Sequence, residues 1–356
     1  MREQGLDAVL IRETPNIAYL TGFVGVFDEE RAHALLVSSG NAVLHTDSRY
    51  LNACKQAAEQ AASTVAIDGE AITHAKWLGQ QLTHDDAIHT LGIEDSMSLA
   101  EFHKLEEELP QNVELKETSG LVNKQRGIKN TPEIECMRAA QAITDAAFAH
   151  ITAFIRPDMT EREVARELDN YMLTHGADAL AFPTILACGA NGANPHAQPT
   201  DARLEVGQCV VMDFGAKRAG YCSDMTRTIF IGQPSERMSS AYAALREANE
   251  TVEAMLKPGV TGVQAHQQAL DILEAAGFKE AMGHGLGHSL GLEIHEDPVL
   301  SPRNKEALAA GNVVTVEPGI YLPGEFGMRL EDFGLITETG FEVITQAPHE
   351  PVIIEP

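Results

Sequence analysis

Two stretches in the second half of the chain decide the fold: Val210-Val211-Met212-Asp213-Phe214-Gly215 and Val314-Thr315-Val316-Glu317-Pro318-Gly319. They lie 104 residues apart, and each is an apolar run that carries one acid near its end. Apolar runs of this length that end at glycine are typical of buried strands. Each stretch therefore predicts a strand that carries a carboxylate at the edge of the core.

The sequence around these stretches is also repeated. Pro157-Asp158-Met159-Thr160 precedes a helical pattern that ends at Gly176, and Pro258-Gly259-Val260-Thr261 precedes one that ends at Gly277, an offset of 101. Downstream, a second acid follows in each copy, Asp224 and Glu331, at an offset of 107. Slowly drifting offsets are typical of a duplicated unit with small loop insertions. The sequence therefore predicts a duplicated helix–helix–hairpin unit.

The first part of the chain has a different pattern. Apolar runs at 7–11, 34–38, 42–46 and 90–94 predict strands, and the spacing at 49–62 and 99–109 predicts helices. The basic stretch 123–129 is interpreted as a linker, after which Thr131 is predicted to cap a long helix with Pro132 at its first position. The predicted fold class is α/β (α+β), with a small α/β domain at 1–125 and a second domain at 126–356 that contains the duplicated unit.

Composition restricts the class of partner. The 356 residues contain 26 Lys and Arg against 52 Asp and Glu, a formal net charge of −26. Such a chain repels nucleic-acid backbones and anionic lipid, so we expect neither nucleic-acid binding nor membrane adsorption. Five scattered cysteines without a CxxC pair, an acidic start and no run of 18 apolar residues predict a cytoplasmic protein.

The acids predict a metal site. If each hairpin pairs about its turn, Asp213 and Asp224 lie on adjacent strands, and Glu317 and Glu331 repeat the arrangement. Carboxylates this close repel one another unless a cation lies between them. Four such acids across a pseudo-twofold axis form a cage suited to hard divalent cations.

Histidines complete this pattern. The stretch from Met282 to Pro298, MGHGLGHSLGLEIHEDP, holds His284, His288 and His295 among glycines that allow the backbone to approach a ligand closely. His196 lies in the turn-rich loop Gly192-Ala193-Asn194-Pro195-His196-Ala197.

These residues resemble the pita-bread metallopeptidases, the family that includes aminopeptidase P, prolidase, methionine aminopeptidase and the metal-free creatinases. The resemblance covers residues 131–356 through Asp213, Asp224, Gly287-His288, Val316-Glu317-Pro318-Gly319 and Arg329-Leu330-Glu331-Asp332. The first 125 residues, with Asn16-Ile17-Ala18-Tyr19-Leu20-Thr21-Gly22-Phe23 and Thr46-Asp47-Ser48-Arg49-Tyr50, resemble the N-terminal domain of Xaa-Pro peptidases and creatinases.

The resemblance implies a role for each site residue. Asp213 would bind one metal, Asp224 and Glu331 would bridge two metals, and His288 and Glu317 would complete the other. Glu317 would also handle protons for the attacking water. His196 and His295 would hydrogen-bond the substrate and the tetrahedral intermediate, while His284 and Arg329 would hold its proline end.

The implied activity is hydrolysis of Xaa-Pro bonds, in dipeptides or at the N-terminus of longer peptides, by a hydroxide that two divalent ions activate. Four carboxylates and one imidazole suit Mn²⁺, Co²⁺, Zn²⁺ or Fe²⁺, with Mn²⁺ as the first candidate. The expected partners are peptides with proline at the second position, and the family implies a homodimer.

Two alternatives stay open at this point. Gly287-His288-Ser289-Leu290-Gly291 satisfies the G-x-S-x-G pattern of serine hydrolases, with His349 downstream, although no apolar strand precedes Ser289. The other alternative is a metal-free creatinase-like hydrolase, or a binding module, on the same fold.

Overall fold

The structure, a computed structural model, describes residues 1–28 and 30–356. It divides the chain into two compact units, Met1–Arg126 and Gly127–Pro356. Among the described residues, none of the helices is both long enough and apolar enough to cross a membrane.

The first unit is built on a mixed sheet of six strands in the order β4-β3-β2-β1-β5-β6. Strand β1 lies inside the sheet and pairs antiparallel with β2 on one side and parallel with β5 on the other, which makes the sheet mixed. The strands are β1 (Ala8–Ile11), β2 (His33–Ser38), β3 (Asn41–Thr46), β4 (Ala66–Asp68), β5 (Thr90–Glu94) and β6 (Glu114–Thr118). The helices are α1 (Thr14–Thr21), α2 (Leu51–Gln60), α3 (His74–Thr83), α4 (Leu99–Glu108) and α5 (Asn123–Arg126), after a 3₁₀ turn at Arg2–Gln4.

The second unit holds long helices and several small sheets. Its helices are α6 (Thr131–Phe154), α7 (Glu161–Thr174), α8 (Glu236–Met255) and α9 (Gly262–Ala275), with a 3₁₀ turn at Gly189–Ala193. Its first strands are β7 (Ala179–Leu180), β8 (Ile185–Cys188), β9 (Cys209–Phe214), β10 (Ala216–Arg218), β11 (Tyr221–Cys222) and β12 (Met225–Ile231). The later ones are β13 (Gly287–Ser289), β14 (Glu296–Leu300), β15 (Val313–Val316), β16 (Gly319–Leu322), β17 (Phe326–Arg329), β18 (Asp332–Ile336), β19 (Phe341–Val343) and β20 (Val352–Ile354).

The predicted duplication is confirmed in this unit. Helices α7 and α9 begin with the same capping box, in which Thr160 pairs with Glu163 and Thr261 with Gln264. Strand β9 then pairs antiparallel with β12, as β15 pairs with β18. Each of the two threonines also makes an isolated antiparallel bridge, Thr160 to Arg203 and Thr261 to Ala307.

Each copy packs its helix pair against its own strands. Helices α6 and α7 bury Phe148 and Leu168 against Met212 and Ile229. Helices α8 and α9 bury Leu245 and Leu273 in the second cluster, with Val314 and Ile336. Because apolar side chains fill the helix-facing side of these strands, the acids at the strand ends are directed toward the place where the two copies meet.

The structure differs from the sequence predictions at two local points. Helix α6 is capped by Asn130, whose side chain accepts a hydrogen bond from the backbone N–H of Glu133, so Thr131 is the first helical residue and not the cap. The stretch predicted as a linker contains helix α5, because Arg126 is buried and donates to Asn16 Oδ1 at 2.9 Å.

Candidate active site

Four carboxylates of the second unit lie at the ends of paired strands. Asp213 lies in β9, Asp224 directly precedes β12, Glu317 directly follows β15, and Glu331 directly precedes β18. Thr226 is opposite Asp213 in the β9–β12 ladder and is bridged to Glu331, so the two copies meet at these strand ends. The structure thus brings together the four acids that the sequence singled out.

His288 on β13 faces these acids. Its Nδ1 lies 3.0 Å from the carbonyl oxygen of Ser289. Because a carbonyl can only accept, Nδ1 carries the proton and Nε2 is left with a lone pair. Nε2 lies 3.5 Å from Asp224 Oδ2 and 3.4 Å from Glu317 Oε1. Asp224, His288 and Glu331 each offer a ligand atom, and these atoms all lie within 4.8 Å of one another.

The repulsion between the buried carboxylates of this cluster favours the binding of a cation. Burial, and then the charge of neighbouring carboxylates, raises the pKa of Asp224 and of Glu331 well above its ordinary value. Burial likewise raises the pKa of Glu317 to about 8 and lowers that of the His288 imidazole to about 4. The acids therefore repel one another as anions, and the imidazole stays neutral, which is the form that binds metals.

Asp213 supplies the test of whether the residues fit a metal. Arg329 donates to its Oδ2, whereas its Oδ1 is buried and has no hydrogen-bond partner among the described residues. A buried carboxylate oxygen without a partner is costly unless a ligand satisfies it. Carboxylate oxygens with one imidazole are a donor set for first-row divalent metals, so the residues fit such an ion.

Arg329 and His284 are joined by Tyr321. Arg329 Nη1 donates to the Tyr321 hydroxyl at 2.6 Å, and that hydroxyl lies 2.9 Å from His284 Nε2. Arg329 also donates to Thr226 Oγ1 at 2.9 Å and to the Pro195 carbonyl at 3.3 Å. With its bond to Asp213, four of the five N–H groups of this side chain are engaged inside the protein. The structure shows that Arg329 holds neighbouring groups of the site in place through these hydrogen bonds. Its contact with a substrate stays a prediction.

His196 and His295 line the same cavity, which measures about 920 Å³ and is bordered by all five predicted metal ligands. The His295 ring lies 4.4 Å from the His288 ring in an edge-on arrangement. Burial, and then the neighbouring His196, lowers the pKa of His295. The predicted site residues are therefore in one place, while the separate role of each stays a prediction.

Sequence reasoning missed two residues of this cavity region. Tyr321 follows the Glu317-Pro318-Gly319 turn by two residues, and this closeness to a predicted ligand was the available signal. His266, on α9, lines the cavity and is 7% exposed. Nothing in its helical spacing distinguishes it from a core residue.

The serine-hydrolase alternative is wrong. Ser289 is fully buried, and its Oγ accepts a hydrogen bond from Lys129 Nζ at 3.2 Å. His349 is bonded elsewhere, with its Nε2 2.6 Å from Asp332 Oδ2. A nucleophile needs a base and an open path to substrate, whereas Ser289 is closed off from the cavity and Lys129, paired with Glu296, donates to its Oγ.

Fold and site together define a protein with a duplicated core and a candidate divalent-metal centre. The sequence profile of "Metallopeptidase family M24" matches residues 135–338, and that of "Creatinase/Prolidase N-terminal domain" matches residues 1–128. The chain belongs to metallopeptidase family M24 and has the predicted pita-bread fold.

Three relatives show the extent of the likeness. The Xaa-Pro dipeptidase of Pyrococcus horikoshii is 33% identical over 98% of this chain and 95% of its own. A solved structure of an Xaa-Pro dipeptidase from Bacillus anthracis is 38% identical with a TM-score of 0.92, covering 99% of this chain and 96% of that one. An X-Pro aminopeptidase structure from Thermotoga maritima is 33% identical with a TM-score of 0.88, covering 99% and 100%.

Proposed function

We propose that this metallopeptidase hydrolyses Xaa-Pro bonds, in dipeptides or at the N-terminus of longer peptides, with two divalent ions of which Mn²⁺ is the first candidate. The observation that carries the proposal is the convergence of Asp224, His288 and Glu331, from different strands, within 4.8 Å. The activities named for the relatives from Pyrococcus, Bacillus and Thermotoga support the substrate class.

Five side chains would hold the ions: Asp213, Asp224, His288, Glu317 and Glu331. Two threonines keep three of them in place. Thr226 Oγ1 donates to Glu331 Oε2 at 2.7 Å, and Thr315 Oγ1 accepts from the backbone N–H of His288 and donates to Glu317 Oε1. When bound, a pair of divalent ions lowers the pKa of a water molecule and polarises the scissile carbonyl.

Glu317 is proposed to carry the proton. Its carboxylate lies at the cluster, with Oε1 3.4 Å from His288 Nε2, and as an anion beside the ions it would take a proton from the attacking water. The broken Xaa-Pro bond leaves a secondary amine on the proline ring, which needs that proton to depart. Glu317 can return it from the same carboxyl group.

His196 and His295 are proposed to stabilise the reacting carbonyl. The lowered pKa of His295 keeps its ring neutral at pH 7, so that one ring nitrogen is an N–H donor and the other an acceptor. A donor directed at the oxygen on which charge develops contributes about 10²–10³-fold in rate.

Proline explains the apolar part of the cavity. The amide nitrogen of an Xaa-Pro bond has no hydrogen, so recognition must come from the ring and from the residue that follows it. Phe182, Pro183, Ile185 and Met282 line the cavity and offer the apolar surface that a pyrrolidine ring requires.

Location and assembly belong to the same proposal. We place the protein in the cytoplasm because all five cysteines are free, and four of them are buried.

We also propose a homodimer. Light scattering on a gel-filtration peak at twice the monomer mass of 38.5 kDa supports it, and a peak at that mass contradicts it.

The test of function compares Ala-Pro, Ala-Pro-Ala and Met-Ala-Ala as substrates of the Mn²⁺-loaded protein. We expect cleavage of one or both proline peptides and loss of activity in EDTA. A preference for Met-Ala-Ala would refute the proline specificity and leave the metal site standing. Less than one transition metal per chain after reconstitution would instead favour the metal-free alternative.

A further inference from the structure

A second buried carboxylate centre lies outside the metal cluster, at the start of helix α7. Glu161 is 0% exposed. Its Oε1 accepts from the backbone N–H of Cys188 at 2.7 Å, and its Oε2 accepts from the backbone N–H of Thr200 at 2.8 Å and from Thr200 Oγ1 at 2.6 Å. The Asn191 amide donates to both oxygens, at 3.1 and 3.0 Å. Each oxygen thus accepts at least two hydrogen bonds.

These donors come from both ends of one loop. Cys188 ends β8 and Thr200 lies twelve residues later, so a single side chain fixes where the loop 188–200 leaves and where it returns. His196 lies within this loop and is exposed, with no side-chain hydrogen bond among the described residues. Its position therefore depends on the loop backbone.

The duplication shows that the helix itself does not need this carboxylate. The residue equivalent to Glu161 in the second copy is Gly262, where a Cβ would come within 2.4 Å of the Val299 carbonyl oxygen. Both helices are capped by the side chain two residues further on, Glu163 or Gln264. In the second copy the corresponding stretch carries the cavity histidine His295 and is held by the β13–β14 pairing, so it has backbone support of its own.

We propose that Glu161 is a positioning residue for the hydrolysis: its carboxylate clamps the loop 188–200 so that His196 is directed at the reacting carbonyl. The inference rests on the role that the proposed function gives to His196. A carboxylate suits the task because it only accepts, and all its neighbours donate. Glutamine in its place sets an NH₂ group against at least one of these donors.

The first experiment measures Glu161→Gln in the Mn²⁺-loaded protein. We expect kcat to fall by about 10–100-fold, the loss that a misplacement of about 1 Å can cause, with a smaller change in KM. The metal content should stay at the wild-type value because all five ligands come from other segments. Thr200→Ala, which removes one donor, should give the same pattern with a smaller loss.

The matched control is Glu163→Gln. This residue lies at the same helix start and accepts from the Thr160 backbone N–H at 2.7 Å, but it is exposed and does not touch the loop. Glutamine is accepted in a capping box, so activity should be unchanged. An equal loss in Glu161→Gln and Glu163→Gln would overturn the inference.

A double-mutant cycle with His196→Ala separates positioning from general stability. If Glu161 acts through His196, adding Glu161→Gln to His196→Ala costs no further activity. Losses that multiply would overturn the proposal, as would full activity in His196→Ala. If the wild type prefers Met-Ala-Ala, the proposed substrate fails, but the same cycle on that peptide still decides the role of Glu161.

Discussion

Glu331 is the least exposed of the five proposed metal ligands. It is 2% exposed and lies where the two copies of the duplicated unit meet, with its Oε2 bonded to Thr226. Its pKa is raised by burial and by the acids around it, so the anion is strained in the absence of a cation. A cation bound between these acids would remove the repulsion, so Glu331 is expected to contribute strongly to metal affinity.

We therefore expect Glu331→Ala to lose metal and activity together. His288→Ala should behave in the same way, because its Nε2 is the proposed imidazole ligand atom in the cluster. Metal content by plasma mass spectrometry and cleavage of Ala-Pro are the measurements, and activity should fall by at least about 10²-fold, the upper range for loss of a residue that only orients a metal ligand.

Glu253→Gln is the matched control for these two variants. This carboxyl also has a pKa raised to about 8, chiefly by burial, but it does not line the cavity. It should retain metal and most activity. Retained activity in Glu331→Ala would contradict the ligand set.

Tyr321→Phe tests the hydrogen bonds that join Arg329 and His284 through the Tyr321 hydroxyl. Removing the hydroxyl leaves a donor of Arg329 and the Nε2 of His284 without their partner, at a cost of about 1–3 kcal/mol for a buried group. We expect kcat to fall about 10-fold, which corresponds to about 1.4 kcal/mol in the activation free energy, while the metal content is unchanged.

Tyr242→Phe separates activity from stability in that experiment. Tyr242 is 3% exposed and donates to the His349 carbonyl at 3.2 Å, outside the cavity lining. Both variants should lower the melting temperature, and only Tyr321→Phe should lower kcat. An equal kcat in the two would show that Tyr321 serves packing alone.

At the scale of elements, the β13–β14 hairpin holds both His288 and His295 and is anchored by a buried ion pair. Lys129 Nζ lies 2.9 Å from Glu296 Oε2, and the two side chains are 1% and 6% exposed. Lys129 also donates to Ser289 within the hairpin. The pair therefore ties the hairpin to the segment that leads into α6.

Lys129→Met should destabilise the protein by about 3–5 kcal/mol, since removing one partner leaves a buried charge without compensation. Urea unfolding measures the change. Lys279→Met removes an exposed pair of similar length, 2.8 Å to Glu274, and should leave the unfolding midpoint almost unchanged because solvent screens the pair. Comparable midpoints for the two variants would contradict an anchoring role.

The same elements show what a sequence can and cannot predict. Asp224 and Glu331 were predictable because a repeat places each acid directly before a strand. Glu161 and Lys129 were not, because a polar residue at a helix start or in a basic stretch has the same local pattern whether exposed or buried. Their burial depends on partners 27 to 167 residues away in sequence.

The cap of α6 was misplaced by one residue for a related reason. Asn130 and Thr131 are adjacent and both are good caps, so local chemistry does not choose between them. The choice falls to Asn130, whose side chain and that of Glu133 satisfy each other's backbone N–H groups. Lys129, next to it, is held by its backbone bond to Gly311.

At the scale of the whole molecule, the net charge of −26 and the buried acids make stability depend on pH in two separable ways. Surface anions repel one another over long distances, and salt screens that repulsion. The acids of the metal cluster are buried, so salt screens them far less. Metal removal should expose the second effect.

We expect the EDTA-treated protein to lose stability as pH rises from about 4.5 to about 8. Glu317 has a folded-state pKa of about 8 against an ordinary value of 4.5, and the pKa values of Asp224 and Glu331 are raised as well. In this window the folded state binds more protons than the unfolded state, so the free energy of unfolding falls as pH rises. Mn²⁺ should reverse the trend, because it binds the deprotonated groups and its affinity grows with pH.

The measurement is the melting temperature between pH 5 and 8.5, with and without Mn²⁺, in 0.1 M and 1 M NaCl. One kcal/mol corresponds to about 2–4 °C in a domain of this size. A slope that 1 M salt removes would assign the effect to surface charge, whereas a slope that survives salt and becomes shallower in Glu331→Gln assigns it to the buried cluster.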